Sequence, residues 1–84
     1  MYTTKERIEM LKKLNALSIE AVLKSRTISQ ESKPRAIALL QQLLQPQITL
    51  IENDCDIDMS IYEKIDARMQ FEEKIFGPIE GWSC

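Results

Sequence analysis

The chain has 84 residues, 44% of them hydrophobic, with a net charge of −2, two cysteines, two glycines, three prolines and no histidine. So short a chain forms one domain at most and hides only about 60% of its unfolded surface, which leaves a lone monomer marginal. The lack of histidine removes the commonest general base and metal ligand, and with them Ser-His, Cys-His and imidazole-zinc chemistry.

The first segment opens on Thr3-Thr4-Lys5-Glu6, where Thr3 and Glu6 have the spacing of a capping box. Apolar residues then recur at 8, 11, 19 and 22 and again at 10, 14, 17 and 21. Both series follow a helical period and neither follows a period of two. Glu9–Lys13 and Glu20–Lys24 stand in the favourable i,i+4 order on the narrow polar stripe that remains. The expected helix covers about 3–27. A helix apolar around most of its girth needs neighbours on more than one side.

Ser32 and Pro34 mark the start of the second helix: serine suits the cap, and proline is tolerated in a first turn. Apolar positions 37, 40, 44, 48 and 51 keep their phase through Pro46. That continuity predicts one helix over 33–53, kinked at Pro46, in preference to a break followed by a short strand at 47–51.

Asp54, Asp56 and Asp58 alternate with Cys55, Ile57 and Met59. An EF-hand starting at Asp54 would need glycine and glutamate where Met59 and Ile65 stand. A strand over 54–61 would need a hairpin with 47–51, and aspartate is a poor strand former. The reading adopted is a turn feeding an acidic helix N-terminus, capped by Asp56, Asp58 or Ser60. The third helix is expected over 57–76, on the stripe Ile61, Ile65, Met69 and Phe76, and Gly77-Pro78 should stop it. A tail over 77–84 follows; its Trp82 either folds back over the core or anchors a partner.

The expected fold is therefore an all-α, three-helix antiparallel bundle in a single domain. Surplus apolar girth on the first helix predicts a homodimer, with Ile8, Leu11, Leu40 and Leu44 at the seam and Trp82 as a further contact. No glycine-rich loop, metal-ligand spacing or nucleophile–base pair is present, so no enzyme, cofactor or metal is expected. The longest apolar run, Ala36 to Leu40, is far short of a membrane span. Two cysteines without a framework and no apolar leader suggest a cytoplasmic protein.

Charge is uneven. Residues 1–35 hold eight basic and four acidic residues, whereas 36–84 hold three and nine. Lys24, Arg26, Lys33 and Arg35 bracket the first connection and are the candidate phosphate contacts, without interleaved aromatics. The functional expectation is a small protein–protein interaction module, an adaptor, regulator or assembly factor, binding itself and another protein. The alternative is a nucleic-acid-associated regulator using the basic N-terminal half.

Overall fold

The computed structural model describes residues 2–77. They form three helices, α1 (Thr4–Lys24), α2 (Ser32–Glu52) and α3 (Ser60–Phe76), and no strand among the described residues. The all-α expectation holds, and a hairpin pairing 47–51 with 54–61 does not form.

The capping box at the start of α1 is complete. The Thr3 hydroxyl accepts the Glu6 N–H at 3.1 Å, and the Glu6 carboxylate accepts the Thr3 N–H at 3.3 Å. Such caps contribute about 1 kcal/mol. The helix ends at Lys24, three residues short of the expected end, because Ser25 turns extended (φ −60°, ψ 136°). The N–H groups of Arg26 and Thr27 then bond to the carboxylate of Glu72 on α3.

At the start of α2, Ser32 is the first helical residue and Ser29 takes the capping role, its hydroxyl accepting the Ser32 N–H at 3.2 Å. The helix then runs unbroken through Pro46. An interior proline costs about 3 kcal/mol. Beyond it, Ile51 is fully buried and Ile48 is half-buried against the core. Each such side chain contributes about 1.5–3 kcal/mol when fully buried, so continuing the helix outweighs the proline.

The acidic stretch divides between two helix ends. Asp54 adopts the left-handed conformation (φ 58°) and donates its N–H to Ile51 O at 3.0 Å, while Cys55 donates to Leu50 O at 2.8 Å. This pair of bonds is a Schellman closure of α2, with aspartate where glycine is usual. Asp58 instead accepts the Ser60 N–H at 2.9 Å. That bond holds Met59 outside the helix (φ −94°, ψ 1°), so α3 begins at Ser60 and not at 57. Gly77 (φ 85°) ends it as the sequence predicts, donating its N–H to Glu73 O at 2.8 Å.

The core is Leu11, Val22, Leu40, Ile51 and Tyr62, with Ile8, Ile37, Leu44, Ile48 and Ile65 half-buried around it. A smaller cluster joins Ala21 of α1 to Met69 of α3. A chain of buried polar groups threads all three helices. Asn15 Nδ2 donates to Leu40 O (2.8 Å) and to the Tyr62 hydroxyl (3.2 Å). Tyr62 donates to Gln47 Oε1 (2.8 Å), and Gln47 Nε2 donates to Asp58 O (3.0 Å). Among the described residues no buried side-chain polar atom lacks a partner. None of the three helices is long and apolar enough to cross a membrane.

Candidate interaction groove

Register explains where the surface opens. Asn15 meets Tyr62 and Ser25 meets Glu72, both 47 residues apart, so α3 runs parallel to the C-terminal half of α1. Counting back, Ser60 lies beside residue 13. The N-terminal half of α1 therefore extends past the start of α3, and on that side, away from α2, only the 53–59 connection runs beside it. The stripe that α3 covers at Ala21 continues past the start of α3 along Leu17, Leu14 and Met10, with Leu17 and Met10 exposed and Leu14 half-buried.

The result is an open apolar trough of about 480 Å³. Met10, Leu14 and Leu17 form the α1 wall, with Tyr2 at one end; Leu11 and Ile51 form the floor. Ile57 and Met59 form the opposite wall. Met10 is 50% exposed, Leu17 46% and Tyr2 62%, values far from those of core residues. Among the described residues, Arg7 and Lys13 are the only charged ones lining it. The Arg7 guanidinium reaches across to Cys55 O at 3.4 Å and ties the connection to α1. A second apolar patch, Phe71 and Ile75, stands on the outer face of α3.

Three members of the basic cluster hold partners within the chain, and Arg26 and Arg35 keep exposed surface. Lys24 pairs with Glu20 at 2.6 Å. Lys33 is buried and its ammonium donates to Leu23 O at 2.9 Å, at the negative end of α1. The Arg26 guanidinium donates to Phe76 O at 3.1 Å and lies 5.6 Å from the Phe76 ring centre. Arg35 remains exposed.

Glu72 holds this end of the molecule together. Its side chain has no exposed surface, yet it accepts from Ser25 Oγ (2.7 Å), Arg26 N (2.6 Å) and Thr27 N (3.2 Å). Arg68 Nε lies 3.7 Å from the same carboxylate and also donates to Thr27 Oγ1. Burial pushes the Glu72 carboxyl up, but these hydrogen bonds outweigh burial and hold it below the usual carboxylate range. The Ser60 N–H does the same for exposed Asp58.

The residues expected at a dimer seam are placed otherwise. Leu11 and Leu40 are 2% and 1% exposed inside the chain's own core, so neither presents a face to a second copy. Ile8 and Leu44 are half-buried against that core. Trp82 lies outside the described residues. The exposed apolar surface on this side belongs instead to Met10 and Leu17 of the second α1 series, beside Leu14, Ile57 and Met59, which are half-buried against the core as Ile8 and Leu44 are. That series was visible in the sequence; its separation from the core series was not. Asp54, Asp56 and Asp58 do not converge, and no group of three acidic or thiol side chains suited to a metal occurs among the described residues.

Comparison of the chain with protein-family models, characterised proteins and solved structures finds no match.

Proposed function

We propose that this chain is a small, non-enzymatic helical module for protein–protein interaction, acting in the cytoplasm as an adaptor, regulator or assembly factor. The observation that carries the reading is the solvent-open trough on α1. Monomeric proteins rarely leave a contiguous apolar surface of this kind without a use for it. Its walls are rigid helix and a tethered connection, which suits recognition of a preformed surface with little ordering cost. Self-association remains part of the proposal, but through exposed surface such as the Phe71–Ile75 face, since Leu11 and Leu40 are enclosed.

A nucleic-acid reading draws on Lys24, Arg26, Lys33 and Arg35. It has less support, because three of these cations already serve carboxylate or carbonyl oxygens of the same chain.

Site-specific photo-crosslinking in the native cell tests the proposal. A photoreactive residue at Leu17 should give one dominant protein adduct, either a second copy or another protein, and the same group at exposed Gln41 should not. Equal labelling from both positions, or none from Leu17, would refute it.

A further inference from the structure

We infer that the occupant of the trough is an amphipathic helix of a partner protein whose edge toward α1 carries carboxylates; this rests on the interaction reading above. The shape argues for a helix. From Arg7 to Leu17 the α1 wall runs about 15 Å, close to three helical turns at 1.5 Å per residue. The trough also continues the seam in which α3 already packs along α1 at Ala21 and Met69. A helix lying there would prolong that seam past the start of α3, presenting apolar residues at i, i+3 or i+4, and i+7.

Charge decides whose helix it is. Among the described residues, the two charges lining the trough, Arg7 and Lys13, are both cations. The aspartates at 54, 56 and 58 alternate with the lining residues Ile57 and Met59 and do not line it themselves. A second copy offering its own α1 stripe in parallel would bring Arg7 and Lys13 against the same cations, and its one carboxylate there, Glu6, is held in the capping box with Thr3. A second copy offering the Phe71–Ile75 face would bring Lys64 and Lys74, which neighbour that stripe on α3, while Arg68 is committed to Glu72 and Thr27. Like charges at an interface suppress such pairings, and carboxylates at the same place favour them.

The test is a displayed library of amphipathic helices, about eleven residues long, with leucines at heptad spacing and Glu, Gln or Lys randomised elsewhere. Helices bound by the full chain should be enriched in glutamate on one edge. Binding should fall at least about tenfold with Met10→Asp/Leu17→Asp, two exposed positions whose change leaves the core intact. Lys13→Glu should turn the preference toward lysine. A bound pool with no charge preference, still lost in the double variant, would overturn the acidic partner and leave the interaction reading standing. Binding indifferent to the double variant would overturn the trough as the site. Light scattering and truncation after Gly77 complete the test. A dimer dissolved by the double variant would make a second copy the occupant, and tighter binding after truncation would make it segment 78–84. Either result overturns the inference.

Discussion

Replacing Glu72 should be as damaging as truncating a core side chain of α3. With Glu72→Ala, the N–H groups of Arg26 and Thr27 lose a charged acceptor, and the Ser25 hydroxyl loses its 2.7 Å partner. Hydrogen bonds to a charged group contribute about 1.5–3 kcal/mol each, and stranding buried donors costs at the upper end of such figures. Ser25 Oγ still accepts weakly from Thr27 and Ile28, which limits the loss. The net cost should be about 3–5 kcal/mol, against a total of about 4–13 kcal/mol for a chain of this length. Glu72→Gln keeps one carbonyl acceptor and the side-chain shape, so its cost should be about 1–2 kcal/mol. The pH dependence separates charge from packing. Because the folded carboxyl is held below its unfolded value of about 4.3, its stabilisation is complete above that pH. It drains away as pH falls through the lower folded value. Urea unfolding followed by circular dichroism at pH 7, 5 and 3 should therefore show a gap between wild type and Glu72→Gln that is constant down to about pH 5 and then closes. A gap that is absent at pH 7, or that persists unchanged at pH 3, would refute the role assigned to this carboxylate.

Tyr62→Phe removes the hydroxyl between Asn15 and Gln47 and should cost about 1–3 kcal/mol by denaturant titration. A double-mutant cycle with Asn15→Ala should show coupling, and strict additivity would contradict the buried chain of bonds. Asp54→Gly relieves a left-handed aspartate and should stabilise by about 0.5–1 kcal/mol, a rise in Tm of roughly 2–8 °C. No rise would mean that the aspartate side chain compensates locally. Pro46→Ala restores a missing N–H in the exposed face of α2 and should stabilise by about 1–3 kcal/mol, read from the midpoint of thermal unfolding. A lowered midpoint would show that the proline serves the packing of Ile48 and Ile51.

The helices were legible because their signals are local: the Thr3–Glu6 box, the unbroken phase through Pro46, and Gly77. The end of α3 was fixed by one glycine, whereas its start was misjudged by three residues. Ile57 keeps the apolar phase with Ile61 and Ile65, and only the reach of the Asp58 side chain back to Ser60 takes the residues before it out of the helix. Asp54 and Asp58 looked like members of one acidic run, yet they end one helix and begin another. The candidate site was half legible. Two apolar series on α1 have the same period, so periodicity could not say which one α2 and α3 would cover. That choice follows from register between distant segments, set by Asn15 with Tyr62 and Ser25 with Glu72. Glu72 left no mark of its own in the sequence, because a glutamate on a charged helix becomes exceptional only when the end of α1 is placed against it.

The parallel course of α3 also divides the molecule by how its parts come apart. α2 closes directly on α1 as a helical hairpin, whereas α3 meets the backbone of α1 alone and touches α2 through side chains such as Tyr62 on Gln47. Its attachments are the Glu72 cluster at one end, Met69 on Ala21 in the middle, and Tyr62 in the core at the other end. Such an element should open as a unit while the hairpin stays closed, and its amides are then expected to exchange with solvent at a lower free energy than those of α1 and α2. The third helix is the strap of this fold, and the trough begins where the strap runs out.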